Sequence, residues 1–366
     1  MRFFNSKRAY AIVNLKSKIV NFMPMLEPIL KAYGLSETTC KIEPFGSGLI
    51  NNTWKVSAND TNYILQKINN AVFKKPNNIA NNISAITTHL KHHHPKYLFI
   101  SPCQNREGGQ MLYKKGLGYF RMFPFVPHSH SKDVVETPEQ AYQAAAQFGK
   151  FTRLLSDIDL SKIKTTIPHF HDIGLRYKQF LTALKKGNLQ RVVESTDLIK
   201  TILQHVDIVK EYKAIQKNPD FKIRVTHHDT KISNVLFDSN DKGLCVIDLD
   251  TVMQGYFISD VGDMMRTYLS PVSEEEQDFS KINVRDDFYK AIVQGYFDEM
   301  KDELTAIEKN YFFYAGKFLI YMQALRFLTD YLNDDVYYGS KYEGHNFMRA
   351  KNQLVLLEKL LNMQTS

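Results

Sequence analysis

Between residues 40 and 135 the hydrophobic period changes, and that change restricts the chain to a small sheet joined to a larger helical body. From Cys40 to about Ile68 the runs CKIEPF, TWKVSA and YILQKI are short and separated by GSGLINN and NDTN. This is the pattern of an antiparallel meander. Past residue 135 the apolar residues recur at helical spacing, and Ala141, Ala144, Ala145, Phe148, Phe151 and Leu155 form one stripe. Thr137, Pro138 and Gln140 ahead of it have the spacing of a capping box with proline in the first turn. Between the two patterns lies YFRMFPFVPHSH, residues 119–130, where Pro124 and Pro127 exclude helix and impose an extended crossing. The expectation is an α+β chain of two lobes. A small antiparallel β-sheet N-lobe with one helix spans residues 1–122, including a leader over 1–37, and a larger, mainly helical C-lobe spans 123–366.

Composition narrows the partners. A chain of 366 residues with 43% hydrophobic content can bury a large core, and its net charge of +8 suits a polyanionic partner, whether nucleic acid, anionic membrane or nucleotide phosphate, among which charge alone does not choose. There is no long Lys/Arg block and no basic stretch interleaved with aromatics, so nucleic acid is not an expected partner. Cys40, Cys103 and Cys245 lie far apart, without the paired spacing of a zinc site or disulfide framework, which fits a reducing, cytoplasmic compartment. The first 22 residues carry Arg2, Lys7, Arg8, Lys16 and Lys18 among short apolar groups, which suits an amphipathic helix or frayed leader better than a secretory signal. The most apolar stretch, residues 311–328, contains Lys317, Gln323 and Arg326; a bilayer would penalise each charge by roughly 3 kcal/mol. A buried helix is expected there, and no membrane partner. HHHP at 92–95 is expected at a helix end in solvent.

The chemistry concentrates in VTHHDTKISNVLF, residues 225–237, and in CVIDLD, which follows a hairpin turn at SNDKG. Asp229, Asn234 and Asp248 are three oxygen donors that a hairpin could bring together. Mg²⁺ takes carboxylate and carbonyl oxygens and retains water and substrate phosphate as further ligands, so Asn234 and Asp248 suffice to hold it. Asp229 is then available to orient a hydroxyl and accept its proton, with Lys231 neutralising a transferring phosphoryl group. His227 is expected to brace the loop through backbone hydrogen bonds. Asp260 and Asp263, in ISDVGDMMR, are expected to cap the next helix and hold the loop.

HHDTKISN, VIDLDT and GYFISDVGDMMR, together with FGSGLINNTW, YILQKIN, YFRMFPFV, IPHFHD and LRFLTDYLNDDVYY, resemble the aminoglycoside phosphotransferase-like small-molecule kinases, most closely their N-acetylhexosamine 1-kinase branch. The resemblance covers residues 38–355 and implies a protein-kinase-like fold, with ATP and Mg²⁺ as cofactors. It implies that Asp229 is the catalytic base, that Asn234 and Asp248 are metal ligands, and that Gly46, Ser47, Gly48 and Asn51 belong to a turn over the nucleotide phosphates. An ordinary hairpin turn competes for the GSG. Met122, Phe123 and Phe125 match the hinge whose backbone would bind adenine. Arg326 is carried over as a sugar contact.

Departures from the wider kinase pattern are informative. No acidic residue lies between Lys67 and Glu107 to pair with a strand lysine. Ile79, Ile83, Ile86 and Leu90 mark the helix, and Asn82 shares its face. A neutral clamp of Gln66 with Asn82 is one reading and a surface Asn82 another; whether Gln66 or Lys67 faces the phosphates stays open, because adjacent strand residues point oppositely. The metal motif reads DLD, and Asp250, expected on the same strand face as Asp248, is a substrate or supporting contact. Arg326 and Asp330, at i and i+4 on an apolar helix, must form an ion pair or face a polar cavity. Tyr337 and Tyr338 are candidates to stack on a sugar ring, and His171 is a further substrate contact, with helix capping by IPHFHD the competing account. The expected activity is phosphorylation of the anomeric hydroxyl of an N-acetylhexosamine by a monomer or weak dimer. The alternatives are an aminoglycoside or amino-alcohol kinase and, in a different class, an inactive nucleotide-binding pseudokinase.

Overall fold

The computed structural model describes residues 25–46, 48 and 50–364. Ser47 and the first 24 residues of the expected leader lie outside them. The chain divides into two compact units, one comprising the residues up to Thr87 with Ile100–Pro127, the other Thr88–Phe99 with His128 onward. The division falls after Pro127 rather than at 122, because strand β5 (Gly118–Pro124) runs through residue 122 and stays paired with β3 to its end.

The first unit is a five-stranded antiparallel sheet. Strands β1 (Cys40–Pro44), β2 (Asn52–Ala58), β3 (Thr61–Lys67), β4 (Leu112–Lys114) and β5 lie in the order β1-β2-β3-β5-β4. Ala58 pairs with Thr61, so the β2–β3 turn contains only Asn59 and Asp60, with φ of 46° and 61°. Two consecutive positive-φ residues make the hairpin turn that matches strand twist, and Asn and Asp tolerate it. Alternation then sorts the faces. Trp54, Val56, Leu65, Phe120 and Met122 point to one side, where Leu26, Ile29 and Leu30 of a helical segment at 25–32 complete the core. Each such side chain contributes about 1.5–3 kcal/mol by leaving water. Helix α1 (Pro76–His93) buries Ile79, Ile83, Ile86 and Leu90, the stripe expected for it.

The second unit is built from helices α2 (Pro138–Arg153), α3 (Ile173–Lys186), α4 (Leu189–Glu194), α5 (Thr196–Gln204), α6 (Asp207–Lys217), α7 (Phe257–Tyr268), α8 (Asp286–Met300), α9 (Phe312–Leu332) and α10 (His345–Gln364). The Thr137 side chain caps α2 by accepting from Gln140 N–H at 3.2 Å, while Gln140 Oε1 returns to Glu136 N–H, one residue earlier than a standard capping box. Helix α9 is buried nearly all round and packs against α3, α7 and α10. Its crossing with α7 depends on Gly262, where a Cβ would collide with Ala315 O. Among the described residues no helix is long and apolar enough to cross a membrane.

Two short strand pairs interrupt the helices. β6 (Arg224–Thr226) pairs with β9 (Met253–Gly255), and β7 (Val235–Phe237) with β8 (Gly243–Val246). The loop 227–234 therefore leaves β6 and enters β7, and the loop 247–252 leaves β8 and enters β9. Each polar loop is anchored at both ends by buried strand.

Candidate active site

The loop after β6 is held by two carboxylates of α7. Asp260 accepts from His227 N–H at 2.9 Å and His228 N–H at 2.7 Å, one on each oxygen. Asp263 accepts from Thr230 N–H at 2.7 Å, and the Thr230 hydroxyl donates to Asp260 C=O at 2.7 Å. Charge-assisted bonds of this kind are short and strong. Neither carboxylate caps α7, whose N-cap is Tyr256 without a side-chain bond; both reach back to the loop instead. Burial pushes the Asp260 carboxyl up to about 7, against the pull of its two N–H donors.

His227 acts as the expected brace. Its Nε2 lies 2.9 Å from Ile247 O, and its own carbonyl accepts from the Thr251 hydroxyl at 2.7 Å, which ties the two loops together. His228 adopts φ +66°, a conformation unfavourable to a β-carbon and sustained here by the Asp260 bonds. Its ring lies over Gly255, where any Cβ would strike it. Burial lowers the His228 imidazole to about 4, so it is neutral at physiological pH.

That scaffold presents Asp229. Asn234 Nδ2 donates to Asp229 Oδ2 at 3.1 Å and to Asp229 O at 2.8 Å, so the amide nitrogen is committed and Asn234 Oδ1 turns away. Lys231 Nζ lies 3.3 Å from Asp229 Oδ2. Burial works against the Lys231 charge, but Asp229, Asp263 and Asp248 outweigh it and raise its basicity. Ile247 N–H donates to Asn234 O at 2.8 Å, which sets Asp248 beside this group. Asp248 has φ +58° and ends the extended run; Leu249–Thr251 form a 3-10 turn. The expectation that Asp248 and Asp250 share a strand face therefore fails, since β8 stops at Val246. Asp250 is buried in that turn. The Asn234 carboxamide and the Asp248 carboxylate carry hard oxygen donors of the kind a divalent cation takes.

In the sheet unit, Gly46 has φ +79°, which glycine adopts without strain, and the space where a Cβ on Gly48 would project is open. Asn51 Oδ1 accepts from Asn69 N–H at 3.0 Å, tying the start of β2 to the end of β3. Gln66 does not pair with Asn82. Its Oε1 accepts from Arg121 Nε at 3.0 Å and Nη2 at 2.8 Å, and its Nε2 faces Thr53 Oγ1. Asn82 is fully buried rather than a surface residue, and its Oδ1 accepts from Asn81. Lys67 lies on the core face, its Nζ 5.9 Å from the Phe120 ring; Gln66, Arg121 and Phe123 share the other face. Met122 is buried with its carbonyl accepting from Cys103 N–H at 2.7 Å, and Phe125 N–H is bonded to Asn62 O at 3.0 Å. The Phe125 ring instead meets Phe45 edge-on at 6.1 Å, with Lys55 Nζ 4.7 Å away. Lys55 and Arg121 were not singled out from sequence, because only the strand register brings them to these positions.

A cavity of about 490 Å³ opens between α3, α9 and the turn after α9, lined by Arg176, Arg326, Asp330, Tyr337 and Tyr338 among others. Arg326 and Asp330 do not form the i,i+4 pair. Asp330 accepts from Tyr337 N–H at 2.7 Å, Tyr338 N–H at 2.8 Å and Asn346 Nδ2 at 3.2 Å. Arg326 lies over the rings of Phe170, Tyr337 and Tyr338 at 5.4–5.9 Å. His171 is buried rather than on the cavity wall; it stacks on Phe170 at 4.5 Å and lies 5.2 Å from His228. The Asp172 side chain caps α3 by accepting from Leu175 N–H at 2.9 Å, so the capping account of IPHFHD is realised at its last residue. Arg176, on α3, escaped the sequence reading, since nothing local distinguishes it from a surface arginine.

The histidine run divides. His92 and His93 are exposed, whereas the ligand atoms of His89, His94 and Asp157 lie within 4.8 Å of one another. His89 Nε2 is directed at Leu154 O, 3.1 Å away, and at Asp157, 3.2 Å away, which is a hydrogen-bonded arrangement.

Solved structures share this fold. Amicoumacin kinase in complex with AMP-PNP and Ca²⁺ aligns at 14% identity with a TM-score of 0.62, covering 93% of this chain and 96% of that one. Spectinomycin phosphotransferase in complex with ADP and spectinomycin aligns at 13% identity and 0.58, covering 94% and 98%. Choline kinase from Cryptosporidium parvum Iowa II aligns at 11% identity and 0.57, covering 95% and 97%. The family model described as "Phosphotransferase enzyme family" matches residues 41–305. With more than half of its length matched by that model, the chain belongs to the phosphotransferase enzyme family.

Proposed function

We propose that this chain transfers the γ-phosphoryl group of ATP to a hydroxyl of a small acceptor, specifically the anomeric hydroxyl of an N-acetylhexosamine. The observation that carries the chemistry is the contact set of Asp229 with Asn234 and Lys231. Asp229 orients the acceptor hydroxyl and takes its proton as the oxygen attacks phosphorus in line and the bond to the β–γ bridging oxygen breaks, releasing ADP. Lys231 offsets charge on the moving phosphoryl group. Asn234 and Asp248 would hold a divalent ion, which when bound neutralises charge on the phosphate oxygens. Asp260 and Asp263 keep the loop in register without touching the reactants. The glycine turn at Gly46 and Gly48, and the sheet face bearing Gln66, Arg121 and Phe123, are assigned to the nucleotide.

The acceptor assignment draws on the cavity. A site for an aminoglycoside or amino-alcohol needs carboxylates to meet ammonium groups, whereas this cavity is lined by four cationic side chains and a single carboxylate already bonded to backbone N–H groups. Tyr337 and Tyr338 supply aromatic surface for a pyranose face. An ADP-release assay over sugars, aminoglycosides and amino-alcohols tests the reading, with Asp229→Asn expected to lose turnover by about 10³-fold or more while still binding ATP. Full turnover in that variant rejects the role of Asp229, and turnover confined to cationic acceptors rejects the acceptor class.

A further inference from the structure

We propose that the acceptor cavity contains an anion subsite in which the guanidiniums of Arg176 and Arg326 grip a carboxylate or phosphate carried by the acceptor. This deepens the kinase reading above and rests on it. The substrate class becomes an N-acetylated sugar with an acidic substituent.

Arg176 is half-buried and spends its donors on neutral oxygens. Nη1 donates to Gln179 Oε1 at 3.1 Å, and Nη2 donates to His169 O at 3.0 Å and Phe170 O at 3.4 Å. Its Nε is buried and has no hydrogen-bond partner among the described residues. Arg326 donates only to Gln323 Oε1, at 3.3 Å, and forms no ion pair among the described residues. The two guanidiniums are close enough that, after burial, Arg326 is the strongest influence lowering the basicity of Arg176. Asp330 gives no relief, because both of its oxygens are occupied by the backbone of residues 337 and 338. Lys178 and Lys186 add positive charge to the same wall. Beneath it His171 is held neutral by burial and by the cations around it.

Like charges gathered at a partly desolvated wall raise the free energy of the protein until a counter-charge arrives. A structural role for both arginines would be expected to include a carboxylate partner, as at Arg224, where Glu308 meets the guanidinium with both oxygens. Among the described residues neither cavity arginine forms an ion pair; Asp172 acts on Arg176 only through its field, as the weakest of the influences on it. A guanidinium offers paired N–H donors in a plane, the geometry that receives carboxylate and phosphate bidentately. The subsite lies near the Asp229 loop within one unit: Arg326 lies 5.8 Å from the Phe170 ring, Phe170 lies 6.4 Å from the His228 ring, and Asp229 follows.

The test compares kcat/KM of the full chain for a neutral N-acetylhexosamine, the same sugar bearing a carboxylate, and the same sugar bearing a phosphate. The expected result is a preference of about tenfold or more for at least one acidic sugar over the neutral one, with the two arms showing which anion fits. In Arg326→Gln and Arg176→Gln that ratio is expected to fall to near one. Arg176→Lys, which keeps the charge but loses the fork, should retain part of it. Equal or better use of the neutral sugar, or a ratio unchanged in both glutamine variants, overturns the subsite while leaving the kinase reading intact. If no hydroxyl acceptor is turned over, the kinase reading fails instead, and a thermal-shift titration with the acidic sugars decides the subsite: stabilisation lost in Arg326→Gln supports it, and no stabilisation of the wild-type protein overturns it.

Discussion

Replacing Asp260 by asparagine separates the cost of burying a charge from the benefit of positioning a loop. In the folded protein burial pushes this carboxyl up to about 7 from an ordinary 3.8, although both oxygens accept backbone N–H groups. A group whose folded pKa is raised stabilises the fold fully below the unfolded pKa and loses that contribution as pH climbs through the folded value. Wild-type stability from Asp260 should therefore decline between about pH 4 and pH 7, by about 4 kcal/mol at roughly 1.4 kcal/mol per unit. Asparagine has no charge to bury and keeps one acceptor oxygen, at the loss of about 1–1.5 kcal/mol for the other bond. Asp260→Asn should thus be less stable than wild type at or below about pH 4 and more stable above pH 7. Alanine, which strands both buried N–H groups, should cost about 2–6 kcal/mol near pH 4 and less above pH 7, where it also removes the buried charge. Turnover should move differently. His228 holds φ +66° only while its N–H is anchored, and Asp229 is the next residue. Loosening it should lower kcat by about 10–100-fold above pH 7, where the asparagine variant is no less stable than wild type. Urea denaturation across pH, beside kcat on the folded protein, reads both effects. A stability difference that stays flat from pH 5 to pH 8 would refute the buried-charge argument, and an unchanged kcat would refute the positioning role.

Two further outcomes follow from buried groups. His228, lowered to about 4 by burial, stabilises the fold above its unfolded value of 6.5 and loses that contribution as pH falls through 4; His228→Asn, which tolerates the positive φ, should flatten that acid limb in a urea series, and a limb of unchanged slope counts against it. Glu308 meets Arg224 at 2.8 and 2.9 Å while accepting from Lys222 N–H and Thr305 N–H, so Glu308→Ala should cost about 3–5 kcal/mol in urea denaturation, and a loss under about 1 kcal/mol would show that the pair is dispensable.

What was legible in the sequence depended on how far away each residue's partner lies. The β2–β3 hairpin was readable because Asn59 and Asp60 carry their own turn preference and the flanking strands alternate. The arrangement of loop 227–234 was readable because Asp229 meets both Lys231 and Asn234 within five residues. Misreadings arose where a nearby partner was plausible but a different one won. Asp330 stands one turn from Arg326, yet Tyr337 and Tyr338 offer two backbone N–H groups that must be bonded in any case, so the carboxylate turns to them. Gln66 was matched with Asn82 on α1, but the β3–β5 register sets Arg121 directly opposite, and a buried guanidinium needs the oxygen more. The DLD run reads as strand until Asp248 adopts φ +58° and turns the chain.

The same reasoning shows why acceptor choice is harder to read than chemistry. Phosphoryl transfer needs groups that one loop and one hairpin supply, so their spacing survives in a single line of text. The cavity charge is instead the sum of Arg176, Lys178 and Lys186 on α3 and Arg326 on α9, with the two arginines about 150 residues apart, minus a carboxylate that local backbone has claimed. Neither helix alone indicates whether an ammonium, a neutral sugar or an acid is welcome. Exchanging one residue on the cavity wall should consequently shift acceptor preference without moving the site of proton transfer: Arg326 lies two ring contacts from His228, while Asp229 is held by Asn234, Lys231 and the α7 carboxylates, none of which touches the cavity.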